Sequence, residues 1–266
     1  MILKSLLSRH ESIAIISVVI LFTLFISLIG PIWFNNLPSL SRDISWLGIV
    51  AIGQAIVIIS GEFDLSVGSV YAFVSMAFLM LLQASVDPFV AFLLTMGLAG
   101  FIGYLNGLLT WKFQLPSLLV TLGFLFVYRG GVEFVTDGWP LIIPDEIRDK
   151  AVVQFLGGKF LGLHNSIYFS ILLLAIFTYV MAKTRYGNHV YAVGGDVEAA
   201  NATGVQTGWV KIRAFIICSM LAGFAGICTA ANLSSVGTTT ATAMEFEAIA
   251  ATVIGGVVLL RGAGTV

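Results

Sequence analysis

Charge is what this sequence has least of. Asp, Glu, Lys and Arg make up 10% of its 266 residues and 58% are hydrophobic, whereas ordinary soluble domains carry about 25% charged residues. A soluble chain of this length would bury one core and cover it with charged side chains, but here long runs contain none, so the solvent for most of the chain is lipid. A mean hydropathy of +1.01 agrees. A surplus of positive charge is missing as well: the formal net charge is -1, and the thirteen Lys and Arg are scattered between apolar runs. That leaves no footprint for nucleic acid. Of the two cysteines, Cys218 and Cys228, both lie in one apolar run and fit neither a metal-ligand nor a CxxC spacing, so they read as small packing residues. The three histidines, His10, His164 and His189, fall outside the apolar runs, which removes the usual base or metal ligand of an intramembrane enzyme. No GxxxxGK[ST] stretch is present, since Gly157, Gly158, Lys159 and Phe160 lack the hydroxyl residue and the spacing. The chain is therefore expected to hydrolyse no ATP and to hold no cofactor or metal of its own.

What the sequence does have is apolar length. A membrane helix needs about 20 apolar residues to cross a hydrocarbon core about 30 Å thick. Runs of that kind cover roughly 13–29, 44–60, 67–84, 89–111, 117–135, 166–182, 212–231 and 246–260. The expected fold is all-α, a polytopic transmembrane helical bundle of about eight spans forming one permease-like domain over 1–266. Lys4 and Arg9 ahead of the first run resemble a secretory signal, but no small-residue cleavage site follows, so this run reads as an uncleaved first helix. On an alternating path that starts inside, the inside receives Lys4, Arg9, Lys112, Lys183, Arg185, Lys211, Arg213 and Arg261. The outside receives Arg42, Arg129, Arg148, Lys150 and Lys159. This bias puts both ends of the chain in the cytoplasm, segment 136–165 outside as a small folded cap, and the polar, glycine-rich segment 183–211 inside. Gly100, Gly103 and Gly107 on one run, and Gly223 and Gly226 on another, put small residues at helical spacing, a signature of close helix packing.

Three stretches carry the candidates for function. In residues 60–68, Gly61, Glu62, Asp64, Ser66 and Gly68 place two carboxylates and two glycines between apolar runs. They suit either a tight turn with Asp64 capping the next helix, or an irregular segment lining a cavity, as in transporters with broken helices. In residues 191–205, Gly194 and Gly195 permit a sharp turn, Asp196 can cap, and the run through Glu198, Ala199 and Ala200 favours a short helix that Gly204 stops. A connector needs only a few residues, so the near thirty spent here point to a docking surface. In residues 243–256, Glu245 and Glu247 stand at the outer edge of the shortest run, as interfacial groups or as part of a translocation path, and a Gly255-Gly256 pair ends or kinks the helix. Asn106 and Asn232 are polar residues in or near runs, suited to bonding helices together or to contacting a polar solute. A secondary transporter or channel is the rival class, and it predicts ion-coupling carboxylates deep within runs rather than at their ends.

Taken together, GEFDLSVGSVYA, GYLNGLLTWKFQLPSLLVTLGFLFVYRG, YGNHVYAVGGDVEAANATGV and MEFEAIAATVIGGVVLLRGAGTV are similar to the permeases of ribose, xylose, arabinose and galactose ABC importers. The autoinducer-2 importer permeases belong to the same family. The stretches cover most of the chain in the family's order. The resemblance implies a membrane permease for a small polar solute, a monosaccharide above all, in the bacterial cytoplasmic membrane. It also implies pairing with a second permease copy, a cytoplasmic ATPase pair that binds the ATP, and a periplasmic or extracellular binding protein that delivers the solute. By position, Gly194, Gly195, Asp196, Glu198, Ala199, Ala200 and Gly204 would form the element that couples to the ATPase, and Asn106, Asn232, Glu245 and Glu247 are candidates for the translocation path. The chain departs from the family pattern at Glu62 and Phe63 and at Arg261, Gly262, Ala263 and Gly264. Family members continue for about two spans beyond that last motif, so the resemblance implies a bundle shortened from about ten spans.

Overall fold

The computed structural model describes residues 10–258 and Gly264, with side chains from residue 16 onward apart from those of 31 and 33. Lys4, Arg9 and the motif at 261–263 lie outside the described residues. Helices dominate: α1 (His10–Ile29), α2 (Pro31–Ile59), α3 (Val67–Gln83), α4 (Pro88–Lys112) and α5 (Ser117–Thr136) are followed by a region of short elements. There β1 (Leu141–Ile142), α6 (Asp145–Arg148), α7 (Ala151–Gly157), β2 (Lys159–Phe160) and β3 (Leu163–His164) lead into α8 (Asn165–Lys183). The chain continues through α9 (Arg185–Gly195), α10 (Val197–Ala202), α11 (Thr207–Leu233), β4 (Ser235–Val236) and α12 (Met244–Ile254).

Local chemistry sets most of these boundaries. The Asp87 carboxylate accepts from the backbone N–H groups of Phe89 and Val90 while Pro88 takes the first helical position, and together they open α4. Pro116 precedes α5, and Asp137 in the left-handed region closes it.

Among the described residues five helices are long and apolar enough to cross a membrane, namely the segments Phe34–Ile59, Pro88–Lys112, Ser117–Thr136, Asn165–Lys183 and Thr207–Leu233. Two of the remaining expected spans are shorter apolar helices, at Ile16–Ile29 and Val67–Gln83, and the last is α12, with 11 residues. At about 1.5 Å per residue, α12 covers only about half of the hydrocarbon thickness. The second span is longer than hydropathy suggests, because α2 starts at Pro31 rather than near residue 44 and carries Arg42 and Asp43 within the helix. Arg129, counted above with the external cations, also sits inside a helix, α5.

α11 is the central element and packs most extensively against α4, α2 and α3. Ala99 meets Gly223, Gly103 meets Phe215 and Gly107 meets Ile212, so α4 and α11 run antiparallel with their backbones in contact. A methyl group on Gly107 would come within 2.7 Å of the Ile212 Cα, which explains the small-residue spacing. Both cysteines are free and buried in this core. The region 137–164 clusters at one end of the bundle, the cap end. β1 pairs antiparallel with β4 and β2 with β3, so the chain leaving α11 is stitched to the chain leaving α5.

Candidate functional site

Between α2 and α3 the helix breaks for residues 60–66. Gly61 sits at φ +88°, a conformation that glycine adopts without steric cost. The segment is buried rather than a solvent-facing turn, with Asp64, Ser66 and Asn106 all 0% exposed. Its free backbone groups are taken up by side chains of α5: Ser117 Oγ accepts from the Phe63 N–H at 3.1 Å, and Thr121 Oγ1 accepts from the Leu65 N–H at 3.0 Å. Irregular backbone at this depth is tolerated because protein supplies the partners that lipid cannot.

Asp64 is not the cap of α3. Its Oδ1 accepts from the Ser66 N–H at 2.8 Å and the Ser66 hydroxyl at 2.6 Å, and Ser66 itself precedes the helix without a side-chain cap bond. Asn106, from α4, donates to Ser66 Oγ at 2.9 Å. Asp64 Oδ2 and Asn106 Oδ1 are left as buried acceptors without a hydrogen-bond donor.

Glu62 leaves this cluster and pairs with Lys211 of α11 at 2.5 Å, both side chains being mostly buried. The pair lines a cavity of about 420 Å³ together with Trp111 of α4 and Gln114 after it, Val197 and Asn201 of α10, and Thr207. A second contact reaches the same loop region, since a Cβ on Gly61 would lie 3.6 Å from the Gly194 Cα. The broken segment is thus held to both α9 and the start of α11.

The segment 183–211 is almost wholly helical. Gly194 and Gly195 form the last turn of α9 rather than a sharp bend, and the chain turns at Asp196 instead. The Asp196 carboxylate accepts from the Ala199 N–H at 2.9 Å and so caps α10, and Gly204 at φ +86° follows its end. Thr207 donates to Asn201 Oδ1 at 2.9 Å, tying α10 to α11. Asp196, Glu198 and Ala199 are exposed. Ala200 is 4% exposed and faces the chain's own core.

The cap end carries the other candidates. Arg129 reaches from α5 to donate to the carbonyls of Thr238, Thr240 and Ala241, at 2.7 to 3.2 Å, and so holds the loop between β4 and α12 against the bundle. This loop delivers Glu245, which is 7% exposed and whose Oε2 lies where a Cβ on Gly68 would meet it at 2.5 Å. Glu245, in the first turn of α12, is therefore packed on the start of α3, whereas Glu247 is exposed and lines a cavity between α2, α3, α11 and α12. Asn232, at the end of α11, donates to the Gly157 carbonyl at 2.6 Å and to His164 Nδ1 at 3.1 Å, and accepts from Arg42 at 3.5 Å. Burial, then Lys159 and Arg42, hold the His164 imidazole below its ordinary pKa of 6.5, consistent with a neutral ring accepting from Asn232. Asn232 thus staples the cap to the bundle. The sequence offered no signal for the part played by Arg129, because its partners are backbone carbonyls more than 100 residues away.

With this geometry in view, comparison with known proteins is informative. The profile of a family described as the permease component of the branched-chain amino acid transport system matches residues 36–266. The probable ABC transporter permease protein YphD of Escherichia coli (strain K12) is 39% identical over 266 residues, covering 99% of this chain and 79% of that protein. The autoinducer 2 import system permease protein LsrC of Photorhabdus luminescens is 32% identical, over 99% of this chain and 79% of the relative. LsrC of Salmonella typhi is also 32% identical, over 99% and 75%. No solved structure matches. These relatives are permease subunits rather than enzymes, and the chain belongs to their family, the membrane-embedded permease components of ABC transporters.

Proposed function

We propose that this chain is the permease subunit of an ATP-driven importer that moves a small polar solute, a monosaccharide above all, across a bacterial cytoplasmic membrane. In this reading α1 to α5, α8, α11 and α12 are its eight membrane segments, residues 136–165 lie outside and 183–211 inside, and both ends of the chain are cytoplasmic. It works with a second permease copy, a cytoplasmic ATPase pair that binds the ATP, and a binding protein that delivers the solute.

The observation that carries the proposal is the connection between the exposed helix α10 and the broken segment. ATP binding can bias a permease between two packings only if the contacts with the ATPase differ between them. Here a helix capped by Asp196 presents Glu198 and Ala199 outward, and the elements flanking it reach Gly61 and Glu62 through Gly194 and Lys211. Movement of α10 therefore has a short mechanical route into the interior.

The test is co-purification of the ATPase with the permease, together with solute-stimulated ATP hydrolysis. Glu198→Arg reverses the charge of the exposed face and Ala199→Trp fills it, and neither touches a lipid-facing helix. Both are expected to lower ATPase retention by about tenfold or more, the loss of a central interface contact, with normal membrane levels. Undisturbed retention and hydrolysis in both variants would make α10 a mere connector.

A further inference from the structure

Asp64 is fully buried, and among the described residues no Lys or Arg pairs with it, Lys211 being taken by Glu62. A carboxylate left unpaired in such a place is costly enough that the group takes up a proton instead. The hydrogen bonds around it are also short of one donor. Asp64 Oδ1 accepts from the Ser66 N–H and hydroxyl, and Ser66 Oγ accepts from the Asn106 amide at 2.9 Å. Asp64 Oδ2 and Asn106 Oδ1 remain, two buried acceptors on residues that share the Ser66 hydroxyl, with no donor for either.

We propose that Asp64 is a proton-binding site of the permease: in the packing seen here its carboxyl carries a hydrogen on Oδ2, which donates to Asn106 Oδ1. Asp64, Asn106 and Ser66 then form a ring in which each side chain donates to the next, and one hydrogen turns two unsatisfied acceptors into a bonded pair. A hard metal ion would need about six oxygen ligands, whereas two side-chain acceptors are free here, and the described residues include no group of three His, Cys, Asp or Glu suited to a metal. The inference concerns the broken segment alone and stands or falls separately from the importer reading.

The surroundings favour the neutral acid. The Tyr128 hydroxyl of α5 and the Cys218 thiol of α11 are placed to feel a charge on Asp64, and both groups are ordinarily neutral. Glu62 on the same segment has its charge balanced by Lys211 of α11, and α4 contributes the non-titrating Asn106. None of these groups holds a positive charge free to stabilise the carboxylate. A packing that parts the segment from α4 breaks the ring and lets water reach the carboxyl. The Oδ2–H bond then breaks, the proton passes to water, and Asp64 is left as a carboxylate. Acid therefore favours the packing seen here.

The experiment uses the whole purified chain. Infrared absorption of protonated carboxyl groups is recorded at about pH 5.5, well above the ordinary Asp pKa of about 3.9, for the unaltered protein and for Asp64→Asn. A band present in the first and lost in the second is expected. The Asn amide donates where the acid O–H did, so Asp64→Asn should unfold at nearly the unaltered temperature at that pH, and Asp64→Ala at a lower one. The folded protein keeps a proton that the unfolded chain gives up above about pH 3.9, so its stability falls as pH rises from there until folded Asp64 ionises. The unfolding temperature of the unaltered protein should accordingly fall relative to that of Asp64→Asn over this rise. The absence of a band that depends on Asp64, or a temperature difference that stays constant with pH, means an ionised Asp64 with the Asn106 amide turned to donate to Oδ2, and overturns the proposal. So does an unfolding temperature that Na⁺ or K⁺ raises at constant ionic strength in the unaltered protein and not in Asp64→Asn, which means a bound metal ion. If Asp64→Asn does not fold, Asn106→Ala carries the test: removing the acceptor of the Oδ2–H should shift the band, and an unshifted band overturns the ring.

Discussion

Gly68 shows how much a single position can depend on a distant one. It opens α3 where only a hydrogen fits, because Glu245 Oε2 and the Ala241 carbonyl occupy the space that a Cβ would need. Gly68→Ala should therefore destabilise the solubilised protein by about 1–3 kcal/mol, the usual cost of overpacking, read as a lower unfolding temperature. Gly123→Ala is the control. Gly123 has open space around it, so there the added methyl should be neutral or stabilise by up to about 1 kcal/mol. Equal losses in both variants would contradict the packing described. Gly68 and Glu245 were both conspicuous in the sequence, but their contact was not, since 177 positions separate them and only the folded loop behind Arg129 joins them. Ala200 teaches a related lesson. Its place in a short helix was legible, yet which face of a six-residue helix turns inward depends on the neighbouring helices.

The helices themselves were readable wherever composition and function agree. Long apolar runs gave α4, α5 and α8 to within about two residues, the ordinary uncertainty of helix ends. The misses fall where charged side chains within a helix find partners. α2 keeps Arg42 and Asp43 because Asn232 and Trp46 lie beside them, and α11 begins at Thr207 because Glu62 neutralises Lys211. Hydropathy stops at such residues, whereas the helix does not. α9 runs through Gly194 and Gly195 since helix formation there costs only about 1 kcal/mol per glycine. The Glu62–Lys211 pair also gives a test of the broken segment. Glu62→Lys or Lys211→Glu alone leaves two like charges in a mostly buried site and should lower the unfolding temperature and the ATP hydrolysis coupled to solute. The double swap should recover much of both. A double variant no better than either single one would show that the two residues do not act as a pair.

For the molecule as a whole, composition was enough to establish a helical membrane protein, and the family motifs were enough to establish a permease. The number of crossings was less legible. Five helices meet the length and hydropathy of a span outright, whereas α1, α3 and α12 are shorter. α3 and α12 flank the broken segment and the Arg129-held loop, where the chain exchanges lipid-facing regularity for interior polar contacts.

In the proposed topology residues 136–165 and the α9–α10 pair lie at opposite faces of the membrane. Asp149 and Glu198 are both exposed and belong to these two regions. Cysteines placed at each, singly, in the Cys218→Ala, Cys228→Ala background can be probed in intact cells with a membrane-impermeant thiol reagent. The account predicts that the cysteine at position 149 reacts from outside and that the one at 198 reacts only after the membrane is opened. Labelling of both from outside, or protection of both until the cells are broken, would contradict it.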